Sequence, residues 1–332
     1  MSDVAQLAGV SHQTVSRVLH DSPAVRPETR ERVLAAMKQL DYRPNSAARA
    51  LVTGRTATLG VISFDTTLYG PASTVLGIER AAHDAGYFII IVSLRSLTRE
   101  SVRGAVDRLR DRGVDGIVVI APQETAADAL RDLPPGVPVV AAEAGPDTVP
   151  VVGVDQAAGA RLATQHLLDL GHRTVFHIAG PTDFLEARAR VAGWRETLRR
   201  AGAHAPEPVI GDWSARSGHE LGHQLLQQPG VTAVFAANDP MALGLLRAMS
   251  ERGLSAPADV SVVGFDGVPE AAYFNPPLTT VRQDFDEIGR RSLGLLLEQM
   301  HRDGGRPDGR PVVVDPELVV RESTAPPRKE DR

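Results

Sequence analysis

Apolar positions change their spacing along the chain, and the change divides it. In residues 2–40 they recur at helical intervals. Val4, Leu7 and Ala8 share one face of a short helix, and Gly9, which enters a left-handed turn without steric cost, stops it. Ser11 can cap a second helix, whose apolar face is Val15, Val18 and Leu19. Pro27 sits at a first-turn position of a third, with Val33, Leu34, Met37 and Leu40 as its expected buried stripe. Pro44 then breaks the chain. Asn45 or Ser46 can cap a short alanine-rich helix ending near Val52, too short to be stable alone in water.

From Ala57 short apolar runs alternate with helical patterns. Leu59–Phe64 reads as a buried parallel strand and Tyr87–Val92, Gly116–Ile120 and Val137–Val140 as further strands, with helices at 72–86 and about 99–112. The alternation restarts near Val149–Asp155. Helices follow at 157–170, 184–201, 215–227, 240–252 and 285–301. Strands fall at Thr174–Ile178, Ala233–Ala236, Val260–Phe265 and Thr279–Arg282, with closing strands at Val312–Val314 and Leu318–Val320. This alternation is the signature of a doubly wound α/β sheet, and two consecutive units predict two lobes with a cleft between them.

A length of 332 residues suits two or three domains, and 42% hydrophobic with 23% charged residues suits a globular chain. No apolar run reaches the ~18 residues of a membrane span, and the N-terminus carries no secretory signal, so a cytoplasmic protein with no membrane partner is expected. Cysteine is absent, which excludes disulfides and thiolate metal sites. A net charge of −5 argues against a nucleic-acid partner until its distribution is read. Residues 1–55 carry 8 Lys/Arg against 5 Asp/Glu; the remainder carries 28 against 36. A modestly basic head on an acidic body is compatible with local phosphate contact.

Helix, glycine and capped helix suit two small core helices as well as a helix-turn-helix, whose second helix enters the DNA major groove. His12, Gln13, Ser16 and Arg17 point away from the apolar face and are of the kind that read base edges and phosphates. The run Asp3-Val4-Ala5, Gly9-Val10-Ser11 and Thr14-Val15-Ser16-Arg17-Val18-Leu19, followed by Tyr42-Arg43-Pro44-Asn45, closely resembles the DNA-binding head of the lactose-repressor/galactose-repressor family of bacterial transcription regulators. The resemblance implies a helix-turn-helix head (1–45), a hinge helix and linker (46–56), and a two-lobed body like the periplasmic sugar-binding proteins (57–325). It implies DNA contacts at Ser11, His12, Gln13, Thr14, Ser16 and Arg17, and from the hinge at Asn45, Ala48 and Leu51. Leu51 stands where the family wedges a leucine between base pairs in the minor groove. Family members usually carry a few more residues before the first helix, so either the head is trimmed or the true start lies upstream. The resemblance also implies three crossings between lobes, the first holding about 57–153 and 286–312, the second about 154–285 and 313–325. Residues 326–332 are expected to be a disordered tail.

A sugar needs planar bidentate partners and an aromatic face, placed where strands end and helices begin. Asn238-Asp239, Asp266 and Arg190 lie at such places, and Trp213 lies in a loop without an apolar stripe, as if to face a ligand. Taken alone, Asn238 and Asp239 could simply cap a helix, and Arg190 could be a solvated charge. Trp194 reads as core. The histidines at 166, 172, 177, 219 and 223 read as structural or surface residues without metal spacing. The runs 187–194, 211–215 and 276–285 are similar to the lactose-repressor branch. The resemblance implies an inducer pocket lined by Tyr69, Pro71, Glu143, Arg190, Trp213, Asn238, Asp266, Gln283 and Phe285. Four positions depart from the branch: Glu143 for aspartate, Val154 for an aromatic residue, Gly267 for a second aspartate and Pro240 for glutamine.

These readings predict a transcriptional repressor of sugar-utilisation genes, released from a palindromic double-stranded operator by a sugar inducer of the galactoside type. The alternatives are a corepressor-dependent regulator and, in another class, a sugar-binding or sugar-modifying α/β protein. An enzyme is not expected: G-x-S-x-G, the P-loop pattern and a helix-opening G-x-G-x-x-G are missing, and no cofactor or metal is implied. The tetramerising leucine heptads of the lactose-repressor branch have no counterpart, so a homodimer is expected.

Overall fold

The computed structural model describes residues 1–19, 22–42, 54–94, 98–120, 122–131, 136–143, 148–301 and 311–328. Residues 43–53, which hold most of the expected hinge with Asn45, Ala48 and Leu51, lie outside the described residues. The chain forms two compact units, Met1–Ala57 and Thr58–Arg332.

The first unit holds α1 (Ser2–Ala8), α2 (His12–Leu19) and α3 (Pro27–Gln39). Gly9 closes α1 at φ 63°, ψ 39°, and its N–H meets the carbonyl of Gln6 at 3.2 Å. The core is Val4, Ala5, Ala8, Val15, Val18, Val33 and Ala36. Leu7, Leu34 and Leu40 are exposed, contrary to the apolar stripes read from the sequence. Three short helices meet closely over small side chains, so Ala5 and Ala36 occupy the contact. Leu34 lies about 100° around α3 from Val33, outside the narrow covered strip.

The second unit contains two six-stranded sheets. The first runs β11-β5-β4-β3-β1-β2, from β1 (Thr58–Phe64), β2 (Phe88–Leu94), β3 (Gly116–Ile120), β4 (Val139–Ala142), β5 (Val151–Val154) and β11 (Val312–Val314), with every pairing parallel. The second runs β12-β10-β9-β8-β6-β7, from β6 (Phe176–Ala179), β7 (Val209–Ile210), β8 (Ala233–Ala236), β9 (Ser261–Asp266), β10 (Thr279–Arg282) and β12 (Glu317–Val319); only the β10–β12 pairing is antiparallel. Helices cover both faces of the central strands, which is why these read as continuous apolar runs, whereas β2, at the sheet edge, leaves Phe88 and Ile91 exposed. In β3, Val118 and Ile120 enter the core under α4 (Tyr69–Asp84) and α11 (Phe285–His301), while Ile117 and Val119 enter the core under α5 (Arg99–Asp111) and α6 (Glu124–Arg131).

Within each sheet the first five strands of its lobe follow the order 2-1-3-4-5, so both present a topological switch point at their carboxyl ends. The chain crosses between sheets three times: after β5, after β10, and between β11 and β12. Val313 and Val314 pair with β5, so the last crossing falls at 315–316 rather than at 313. The helix expected from 72 begins at Tyr69, and the two-residue strand β7 and the 3₁₀ helix Pro269–Tyr273 have no periodic signal. α7 (Gln156–Asp169), α8 (Leu185–Arg200), α9 (Ala215–Leu225) and α10 (Asp239–Glu251) complete the second lobe. Trp194 on α8 is fully buried and its Nε1 donates to the Val175 carbonyl at 2.9 Å, which satisfies its one polar atom.

Two expectations are corrected here. The start of the expected tail is docked rather than disordered: Pro327 is buried and Arg328 meets Oδ1 of Asp259 at 2.8 Å. The segment just before it is bonded: the Thr324 hydroxyl lies 2.9 Å from Nε2 of His166, and the Ala325 carbonyl lies 3.0 Å from Nε2 of His172. Proline content alone does not make a segment disordered when neighbouring elements offer partners. Second, His219 and His223 do have metal-ligand spacing: they lie one turn apart on α9, and both meet Glu251 of α10.

Candidate functional site

In the head, Ser11 accepts a hydrogen bond from the Thr14 N–H at 3.2 Å, and the two hydroxyls lie 2.9 Å apart. This cap fixes the start of α2. His12, Gln13 and Arg17 are exposed on its outer face, with Thr14 and Ser16 half-buried beside them. Ser11 and Thr14 thus have a capping task in addition to any contact with DNA.

The body holds a cavity of about 650 Å³ between its two sheets, at the switch points. Its lining includes all nine residues expected of an effector pocket: Tyr69, Pro71, Glu143, Arg190, Trp213, Asn238, Asp266, Gln283 and Phe285. Val154 and Pro240 also face it, and Gly267 does not. Gln156, Phe184 and Glu186 line it as well and escaped the sequence reading. Gln156 opens a helix directly after β5, and Glu186 precedes Arg190 by one helical turn, so both carried a positional signal.

Arg190 is the hub. Its side chain is 2% exposed; its Nε donates to Oε1 of Gln156 at 2.9 Å and one terminal nitrogen donates to the Ala237 carbonyl. Its guanidinium lies 3.9 Å over the Phe265 ring and 5.5 Å from that of Trp213. Asp266 Oδ1 lies 3.7 Å away and Glu186 Oε2 3.8 Å away. A chain of amides continues from it: Gln156 Nε2 donates to Gln283 Oε1 at 2.8 Å, and Gln283 Nε2 donates to Asp266 Oδ1 at 2.8 Å. Gln156 and Gln283 sit at the first two crossings, so this buried chain bonds one crossing to the other.

The acids are held away from their ordinary behaviour. Burial pushes Asp266 up to about 8, more than the nearby Arg190 lowers it. Burial, and then the charge of Glu186, raises Glu143 well above the usual carboxylate range; burial also raises Glu186, which Arg190 pulls down. Burial thus disfavours charge on both carboxyls of this neighbouring pair. Glu143 Oε1 accepts from the Thr74 hydroxyl at 2.8 Å, whereas its Oε2, beyond the neighbouring Glu186 carboxyl, is buried without a hydrogen-bond partner. Asp239 does not line the cavity: it accepts from Thr280 Oγ1 at 2.6 Å and the Val268 N–H at 2.8 Å, bracing β10 and the segment after β9.

Trp213 holds its backbone at φ 73° and is 8% exposed, and its Nε1 is buried without a partner. It packs edge-on to Phe184, 5.5 Å between centroids, and a Cβ at Gly180 would come within 2.1 Å of its ring. Asn238 caps a helix, as weighed for it, and also lines the cavity. Its Oδ1 caps α10 by accepting from the Met241 N–H at 2.9 Å, and its Nδ2 donates to the Trp213 carbonyl at 3.0 Å, which fixes that loop. Tyr69 meets Phe285 edge-on at 5.7 Å and closes the apolar side.

A three-helix head joined to a two-lobed α/β body with a cavity at its switch points defines a DNA-binding regulator with a small-molecule sensing domain. Residues 1–45 match the model for bacterial regulatory proteins of the lacI family, and residues 164–324 match the periplasmic binding protein-like domain. The chain is 37% identical over 300 residues to the lactose operon repressor of Escherichia coli, covering 89% of this chain and 83% of that protein. It is 33% identical to the HTH-type transcriptional repressor PurR of Haemophilus influenzae over 97% of this chain and 98% of that one. A solved structure of the lac repressor dimer bound to operator and the anti-inducer ONPF superposes with a TM-score of 0.85 at 34% identity, covering 97% and 98% of the two chains. The chain belongs to the lacI family of bacterial regulatory proteins, and its class is that of a DNA-binding transcriptional repressor.

Proposed function

We propose that the protein represses sugar-utilisation genes as a homodimer on a near-palindromic operator, and that a sugar of the galactoside type entering the cavity releases it. The observation that carries the effector reading is the pair of unsatisfied polar atoms in an otherwise bonded cavity. Trp213 Nε1 is a donor without an acceptor, and beyond the neighbouring Glu186 carboxyl Glu143 Oε2 has no hydrogen-bond partner. Leaving such groups buried costs about 1–3 kcal/mol each. A ring of hydroxyls, each both donor and acceptor, answers both, while its C–H face suits Tyr69, Phe285 and the Trp213 ring. The Glu143 carboxyl meets a ligand hydroxyl there, one methylene further into the cavity than aspartate would reach.

The switching step rests on differential affinity, because a ligand moves an equilibrium only as far as it prefers one state. The amide chain from Arg190 through Gln156 and Gln283 to Asp266 spans two crossings between lobes, so ligand contact with Arg190 or Asp266 acts directly on lobe arrangement. Gln13, Ser16 and Arg17 read major-groove edges, with His12 tuning the bases accepted. The test is a titration of purified protein with β-galactosides and other sugars while binding to DNA from beside its own gene is followed by gel shift. Weakened binding with one sugar supports the reading. Unchanged binding across the panel overturns the inducer, and strengthened binding replaces it with a corepressor.

A further inference from the structure

The run His219-Glu220-Leu221-Gly222-His223 has the spacing H-E-x-x-H on a helix, which sets two imidazoles on one face, one turn apart. Three glycines bring that face close to α10. A Cβ at Gly244 would lie 2.0 Å from the Ala215 carbonyl, one at Gly218 would lie 2.2 Å from the Met241 carbonyl, and one at Gly222 would lie 3.1 Å from Ala248. The contact puts Glu251, the last residue of α10, against both histidines. Nε2 of His219 lies 2.8 Å and Nε2 of His223 3.0 Å from the same oxygen, Oε2 of Glu251, and the two nitrogens are 3.3 Å apart. Bonds of about 2.0–2.2 Å to one zinc ion hold neighbouring ligand atoms roughly 2.8–3.5 Å apart, so the triangle matches one coordination face. Among the described residues it is the one group of three such side chains with this convergence.

We propose that His219, His223 and Glu251 form a binding site for a divalent transition-metal ion of the zinc class, distinct from the effector cavity. Two imidazole nitrogens and a carboxylate oxygen suit zinc, with a fourth position left to water. The claim is binding and not hydrolysis: Glu220 is exposed, and the effector cavity does not reach these residues. The ion would tie the end of α10 to α9. Both helices start at that cavity, α9 capped by Ser214 beside Trp213 and α10 by Asn238. Neighbouring cations oppose the ion. Arg247 Nε donates to Glu251 Oε1 at 2.8 Å, which leaves Oε2 to the histidines. Arg252 Nε donates to His223 Nδ1 at 3.2 Å and so holds the proton on Nε2. Coordination through Nε2 needs the opposite tautomer, with the proton on Nδ1, so the Arg252 Nε contact must be given up, while its terminal nitrogen can keep its bond to the His223 carbonyl at 2.7 Å.

The test is titration of the full chain with Zn²⁺ alone, followed by calorimetry and by thermal melting. One ion per chain is expected, with a rise of several degrees in Tm. His219→Asn, His223→Asn and Glu251→Gln are each expected to weaken binding at least tenfold and remove the rise, with far-UV circular dichroism unchanged. Arg252→Ala, which removes the competitor for Nδ1, is expected to tighten binding several-fold, a gain that misfolding cannot imitate. The chain has ten histidines, so zinc binding alone decides nothing. Zinc affinity left at the parental value by any of the first three substitutions overturns the site.

Discussion

Trp213 and Asp266 both hold backbone conformations with positive φ, 73° and 100°, at the rim of the same cavity. Such conformations cost about 1–3 kcal/mol and persist where surrounding contacts impose them. The Trp213 indole makes its polar demand directly: replacing it by Phe keeps most of the ring and removes the unpaired donor. Trp213→Phe is expected to weaken effector binding about tenfold while leaving effector-free operator binding unchanged, measured by fluorescence and gel shift. Asp266 makes a pH-dependent contribution. Its folded value of about 8 lies above the ordinary 3.8, so the native state holds a proton that the unfolded state releases. This group therefore favours the fold most below the ordinary value, and that contribution is lost as pH rises towards about 8. Melting from pH 6 to 9 should show Asp266→Asn gaining stability relative to the parent as pH rises; parallel curves would contradict the assignment. At this scale the sequence and its family resemblance reached all nine expected cavity residues. Gln156 and Glu186 were missed because a lone amide and a helix-surface glutamate carry no chemistry until packing places them beside Arg190.

The elements were legible where periodicity is strong and obscure where packing decides. β3 and α8 stand close to the spans read from apolar runs, because both faces of the sheet are covered. The head shows the opposite case: Leu34 and Leu40 fit a stripe by type yet are exposed, since alanines let the helices close over a narrower strip. Asn238 caps α10 and holds the Trp213 loop together, so Asn238→Ala should cost about 1 kcal/mol in urea unfolding, from loss of the cap alone, and also loosen the effector. The last strand region is anchored by Ser323, whose hydroxyl donates to the Val262 carbonyl at 2.6 Å and accepts from the Thr279 N–H at 2.8 Å. Ser323→Ala should cost about 1–3 kcal/mol because it leaves a buried N–H and carbonyl without that partner. A loss near zero in the same unfolding assay would show that this docking contributes nothing. Composition marked residues 326–332, beyond this strand region, as a tail because proline and charge say nothing about the groups, such as Asp259, that receive Arg328.

For the whole molecule, alternation of strands and helices gave two lobes, but the three crossings followed from family resemblance and not from periodicity. A crossing has no apolar pattern of its own; its identity rests on which sheet the next strand joins, as Val313 and Val314 show by pairing with β5. That topology puts Gln156 and Gln283 at the crossings and ties the cavity's hydrogen bonds to the relation between lobes. Any sugar that favours one relation and any operator that favours another must weaken each other by the same factor. The direct measurement is a thermodynamic cycle on full-length protein: operator affinity with and without saturating sugar, and sugar affinity with and without saturating operator. The account predicts specific operator binding that falls at least tenfold with sugar, and sugar binding that falls by the same factor with operator. Specific operator binding indifferent to every sugar that enters the cavity would contradict it.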